Sequence, residues 1–202
     1  MSEKTKDFNF EKFAAKYDDR ASKVSERFYQ MLLEQVELFS GGTVLDVGCG
    51  TGAVLRRMAD ACEINSYGID AEQNMIAEAR RKYPDMNFQF SRCEDTPFEN
   101  QYFDVITACM AYHHFADRAG FAKEAARLLK PGGRLYISDL RLPFIIRKVF
   151  NGFFRIINIA GHFDSPQELF KHFSKYGFEA DGFVQNGYAQ VVKLKREQSK
   201  EE

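Results

Sequence analysis

Val44-Leu-Asp-Val-Gly-Cys-Gly-Thr-Gly52 decides the fold. A short run rich in β-branched residues, Thr43 to Val47, enters Gly48-x-Gly50-x-Gly52 without a break, and Ala53 to Ala61 continues with helical spacing. Strand, glycine turn and helix in direct succession make the first half of a βαβ unit. The glycines tolerate positive φ and leave no Cβ between the backbone and a ligand. The N-terminus of the helix beyond them offers unpaired N–H groups.

Outward from this stretch the alternation repeats. Asn65 to Ile69 reads as a second strand and Glu72 to Lys82 as a helix, stopped before Pro84. Asn87 to Phe90 and Phe103 to Cys109 are further strands, and Asp117 to Leu129 a helix. Pro131-Gly132-Gly133 is a turn before a fifth strand, Arg134 to Ser138. Upstream, Phe10 to Phe39 has helical periodicity, with Phe28, Met31, Leu32, Val36 and Phe39 on one face, and Gly41-Gly42 ends it. Near the end, Phe178 to Gln185 and Tyr188 to Lys195 flank Asn186-Gly187, the signal for a hairpin with a type I′ turn. Strands alternating with helices imply a parallel sheet covered on both faces, here closed by an antiparallel hairpin.

Bulk properties bound the rest. The chain has 202 residues, 45% hydrophobic and 28% charged, with a formal net charge of −1. One soluble domain over 1–202 is expected, and nothing favours a nucleic-acid partner. Cys49, Cys62, Cys93 and Cys109 show no metal-binding or C-x-x-C spacing, so no metal site is expected and the thiols read as reduced. The first residues are polar, and no apolar run reaches the roughly 18 residues that span a bilayer. The expected location is the cytoplasm.

The chemistry gathers at the glycine loop. Asp70 ends the second strand about 20 residues after the loop, where a carboxylate can accept from both hydroxyls of a ribose. This much also describes a nicotinamide-dinucleotide site. The spacing G-x-G-x-G falls one residue short of the dinucleotide fingerprint. Asp46, two residues before Gly48, is poor company for a pyrophosphate and suits a ligand carrying a sulfonium and an ammonium. It can equally brace the loop through backbone N–H groups, and the two roles are compatible.

Five segments in order carry a specific resemblance. Val44 to Gly52 resembles motif I of the class I S-adenosylmethionine-dependent methyltransferases, and Tyr67-Gly-Ile-Asp70 the acidic end of their second strand. Cys93-Glu-Asp-Thr-Pro-Phe98 is similar to their adenine-contacting loop, Phe103 to Phe115 to their fourth-strand motif, and Leu128 to Leu135 to their fifth-strand approach. The nearest group is the one resembling ubiquinone/menaquinone-biosynthesis enzymes, many of which act on small molecules. The resemblance implies an α/β fold with a Rossmann-like, mostly parallel seven-stranded sheet, helices on both faces and a C-terminal antiparallel hairpin. It implies S-adenosylmethionine as cofactor and S-adenosylhomocysteine as product. Gly48, Cys49, Gly50, Thr51 and Gly52 then pass beside the methionine and ribose, with Asp46 behind them. Asp70 holds the ribose hydroxyls, with Ala71 beside the adenine. Asp95 accepts from the adenine amine, Glu94 lends backbone contact, and Cys109 offers backbone to the amino-acid end. Tyr17 closes over the cofactor or packs on an N-terminal helix.

The reaction implied is in-line methyl transfer to a small-molecule acceptor. His113 and His114 follow the fourth strand, where acceptors approach the methyl. His114 reads either as a base or orienting group or as a capping or packing residue. Thiolates at Cys49 and Cys109 would suit arsenite, although Cys49 is also an ordinary small residue of this loop. The segment 141–160 contains no acidic residue and carries Arg141, Arg147, Lys148 and Arg155 among Ile145, Ile146, Val149, Phe150, Phe153, Ile156 and Ile157. Such a basic amphipathic helix is expected as a lid over an apolar or aromatic acceptor, with a subunit interface or an anionic membrane surface as alternatives. Ser165, Pro166 and Glu168 spell the start of another helix. The expected layout is a helical cap over 9–40, a cofactor core over 43–140, a helical insertion over 141–163, and a final helix and hairpin over 164–195. A macromolecular methyltransferase and a catalytically silent S-adenosylmethionine-binding regulator remain as alternatives.

Overall fold

A computed structural model describes residues 25–156 and 161–198, without the side chains of Phe154 and Arg155. The seven strands are β1 (Thr43–Val47), β2 (Asn65–Asp70), β3 (Asn87–Phe90), β4 (Phe103–Cys109), β5 (Leu129–Leu140), β6 (Phe178–Asn186) and β7 (Ala189–Arg196). They form one sheet in the order β3-β2-β1-β4-β5-β7-β6. The first five run parallel, and β7 pairs antiparallel with both β5 and β6. The expected α/β, mostly parallel seven-stranded Rossmann-like sheet with its late hairpin is the fold observed.

Helices cover both faces: α1 (25–35), α2 (Ala53–Ala61), α3 (Gln73–Lys82), α4 (Arg118–Leu128), α5 (Phe144–Ile156) and α6 (Pro166–Phe173). Strand alternation divides the sheet's side chains between two cores. Val44, Val105, Tyr136 and Val191 face α1, α2 and α3, packing with Phe28, Leu32, Leu55 and Met58. Leu45, Ile106, Ile137 and Val192 face α4 and α6, packing with Phe121, Ala125, Leu169 and Phe173. The strand order reverses between β1 and β4, so a crevice opens at their carboxyl ends.

Four local expectations differ from the structure. The first helix ends at residue 35 instead of Phe39. The N–H of Glu37 donates to the Tyr136 hydroxyl at 3.2 Å, so a tertiary partner takes the donor that another helical turn would have used. Tyr17 and the part of that helix before residue 25 lie outside the described residues. Pro131-Gly132-Gly133 belongs to β5 as a bulge: Phe103 pairs with Leu129 and Val105 with Arg134. The hairpin loop sits one residue later than Asn186-Gly187. Asn186 pairs with Ala189, which leaves Gly187-Tyr188 as the loop, and Gly187 alone has positive φ, +62°. That is the demand of a type II′ turn, not a type I′. The fourth difference concerns α5, whose apolar residues face solvent.

Candidate active site

The end of β1 turns sharply because Gly48 and Cys49 both donate their N–H groups to the Ile69 carbonyl, at 2.8 and 3.0 Å. Gly48 has φ +73°, and a Cβ there would meet the Ala111 Cβ at 2.5 Å. Only glycine lets β1 and the residues after β4 approach this closely. At Gly50, φ is +53° and a Cβ would meet nothing within 4 Å. Its backbone faces open space, as a ligand-bearing turn requires.

Asp70 fixes the loop. Its carboxylate accepts from the Gly50 N–H and from the Glu72 N–H, each at 2.8 Å. One side chain at the end of β2 thereby joins the glycine loop to the entrance of α3. Asp46 lies deeper, 2% exposed. It stands opposite Thr107 in the β1–β4 register, and the Thr107 hydroxyl donates to it at 2.7 Å. Burial pushes its carboxyl up to about 7; the Thr107 hydrogen bond opposes the shift and the negative charge of Asp70 adds to it. Cys49 and Cys109 are buried. Burial pushes both thiols well above their ordinary range, and the neighbouring Asp46 adds to this. They are neutral thiols, without the thiolate character that arsenic chemistry requires.

These groups border a cavity of about 550 Å³ at the carboxyl ends of the strands. Gly48 and Gly50 form one wall; Asp70, Ala71 and Glu72 the second; Ser91, Arg92, Cys93 and Glu94 the third; and Met110, Ala111, His114 and Phe115 the fourth. The structure therefore brings Gly48, Gly50, Asp70, Ala71, Glu94 and His114 together around one space. Asp46, Cys49, Thr51, Gly52, Asp95 and Cys109 are not among the residues that line it. On the third side Glu94, not Asp95, reaches the cavity. Its carboxyl is held below the usual range: burial works to raise it, and the ion-paired Arg92 guanidinium with its hydrogen bond outweighs that.

Two features of the fourth wall carry no sequence signature. Met110 has φ +54°, a left-handed conformation that a side chain adopts at a cost, and its N–H donates to the Ser138 carbonyl at 2.8 Å. The kink ends β4 and places Met110 on the cavity wall. The two histidines also separate. His113 is buried. Its N–H donates to Asp139 Oδ2 at 3.1 Å, its Nδ1 lies 2.7 Å from Asp139 Oδ1, and its ring stacks on Phe163 with centroids 5.1 Å apart. His114, beside it, is exposed and lines the cavity.

The site fits S-adenosylmethionine on its own geometry. A positive-φ glycine faces open space, a carboxylate stands at the second strand end, and a second carboxylate is buried near the end of the first strand. The arrangement is the one the resemblance to class I S-adenosylmethionine-dependent methyltransferases implies, and the comparisons support that resemblance. Residues 45–137 match the family model described as a methyltransferase domain. Over 134 residues the chain is 36% identical to the demethylmenaquinone methyltransferase of Chlorobaculum parvum, a match covering 64% of this chain and 56% of that protein. Over 135 residues it is 33% identical to the 27-O-demethylrifamycin SV methyltransferase of Amycolatopsis mediterranei, covering 62% of this chain and 50% of that one. The chain thus spans about half the length of the curated relatives it matches. Among solved structures, the chain in complex with the Haloferax volcanii Trm112 methyltransferase activator superposes with a TM-score of 0.77 at 21% identity, over 94% of this chain and 98% of that one. At that identity the likeness is one of fold.

Proposed function

We propose that this protein transfers a methyl group from S-adenosylmethionine to a small-molecule acceptor that is apolar or aromatic in part. The observation that carries the reading is the division of the cavity. Its polar walls, at Gly50, Asp70 and Glu94, suit an adenosine and an amino-acid moiety. Its remaining wall, at Met110, Ala111, Phe115 and His114, is apolar apart from one imidazole. Asp70 would hold the ribose hydroxyls. Asp46 would complement the cationic end from behind the glycine turn, with Gly48 and the residues after β4 on either side of it. The cofactor supplies an electrophilic methyl group together with its leaving group. What remains for the chain is to align the acceptor and exclude water. His114 would orient the acceptor, and would take a proton where the acceptor atom carries one. The relatives named for a quinone precursor and for a rifamycin support an acceptor of this kind.

Calorimetry with S-adenosylmethionine and S-adenosylhomocysteine, followed by a screen for S-adenosylhomocysteine release over quinones, phenols and amines, tests the reading. Donor binding with turnover of at least one apolar acceptor is expected. Donor binding without release across the panel would favour a catalytically silent regulator instead.

A further inference from the structure

We infer that the outward face of α5 docks on an anionic lipid surface. The inference rests on how the helix is rotated. Arg147 and Asn151, one turn apart, are its anchors. Arg147 is 7% exposed and forms an ion pair with Glu168. The Asn151 amide donates to the Phe163 carbonyl and accepts from the Phe163 N–H, both at 2.9 Å. This two-way bond fixes the helix about its own axis. At about 100° per residue, Ile145, Val149 and Ile156 lie diametrically opposite the anchors, and they are 75%, 65% and 81% exposed. Phe153 and Ile146 widen the exposed stripe on one flank, and Phe150 and Phe144 are exposed nearer the anchors. An ordinary surface helix turns this face inward; here its polar stripe is the bound one, and among the described residues none of α5 lines the cavity.

Charge selects the occupant. Apart from Arg147, whose charge Glu168 offsets, the segment 141–156 carries Arg141, Lys148 and Arg155 and no carboxylate. Lys148 Nζ lies 4.4 Å from the Phe144 ring centroid, at the margin of the apolar stripe. A second copy packed on this face would set cations against cations with no acid from either helix to offset them. A bilayer containing acidic phospholipid supplies the missing negative charge beside a phase into which Ile and Phe side chains partition. Among the described residues no helix is long and apolar enough to cross a membrane, so the contact is interfacial.

The test is sedimentation of the full chain with vesicles of phosphatidylcholine plus phosphatidylglycerol. It needs no turnover, so its outcome is separable from that of the methyl-transfer reading. The wild type is expected to sediment with these vesicles, about tenfold more weakly in high salt or with phosphatidylcholine alone. The double variant I145E/V149E is expected to lose at least about tenfold in partitioning, with its affinity for S-adenosylmethionine unchanged as a check on folding. A wild type that stays in the supernatant, or a double variant that sediments like the wild type, overturns the inference. So does a dimer in sedimentation velocity that I145E/V149E dissolves, since the face would then belong to a second copy.

Discussion

Replacing Asp46 by Asn removes a buried charge and little else, because Asn keeps an oxygen to accept from Thr107. In the fold the Asp46 carboxyl is raised from 3.8 to about 7. The gap of about 3 units corresponds to roughly 4 kcal/mol by which the unliganded fold resists ionisation here. Between about pH 4 and about pH 7 the unfolded chain has released this proton and the folded chain keeps it. Wild-type stability therefore falls as pH rises through that window, and the penalty is complete above it. The variant carries no such penalty. Urea unfolding followed by circular dichroism should show Asp46→Asn gaining on the wild type by about 2 kcal/mol between about pH 5.5 and about pH 8, with a plateau at the upper end. The slope is the informative quantity, since a buried amide has hydrogen-bonding needs of its own that shift the whole curve. Donor binding should move the opposite way. A sulfonium and an ammonium favour the carboxylate, so wild-type affinity should rise with pH up to about 7 and binding should release a proton. The variant should bind at least about tenfold more weakly at about pH 8, with no proton release. Calorimetry in two buffers of different ionisation enthalpy reads both. A stability difference that is flat with pH, together with equal donor affinity, would refute the argument and leave Asp46 as a brace for Thr107.

Three further outcomes are expected. His114→Gln should lower kcat about a hundredfold for an acceptor that must lose a proton, with donor affinity within about twofold of wild type; unchanged turnover removes His114 from the mechanism. Gly48→Ala adds a Cβ 2.5 Å from the Ala111 Cβ at φ +73°. It should cost about 2–5 kcal/mol in denaturant unfolding and weaken donor binding. Asn151→Ala removes both bonds to Phe163 and should cost about 1–3 kcal/mol, with the loss of amide-exchange protection concentrated in α5.

The sequence shows the order β1 to β5, because each strand there is bounded by a glycine turn, a helix or a proline that acts locally. The capping box of α6 is equally local: Ser165 accepts from the Glu168 N–H, and Glu168 reaches back to the Ser165 N–H. What eluded the sequence depends on partners far along the chain. The end of α1 is set by Tyr136, and the left-handed Met110 by its bond to Ser138. The hairpin register is set by the pairing of β7 with β5, which the Asn-Gly dipeptide does not report. The helical period of α5 reveals that one stripe is apolar and another polar, but not which stripe meets the protein. That depends on Glu168 and the backbone of Phe163, which belong to the next segment. Around the cavity, Gly48, Gly50 and Asp70 were legible because their chemistry is tied to a turn. Met110 and the reach of Glu94 past Asp95 were not, since each follows from the path of a loop.

Glu168 Oε2 accepts from the Ser165 N–H and the Ser165 hydroxyl, both at 2.8 Å, and from Arg147. One oxygen atom thus caps α6 and sets the rotation of α5. Positions 147, 165 and 168 are thereby coupled through a single acceptor. A drift to Gln at 168 would weaken a helix start and a surface orientation at once. The outward turn of the apolar stripe on a helix some twenty residues upstream in this way depends on an ordinary capping motif.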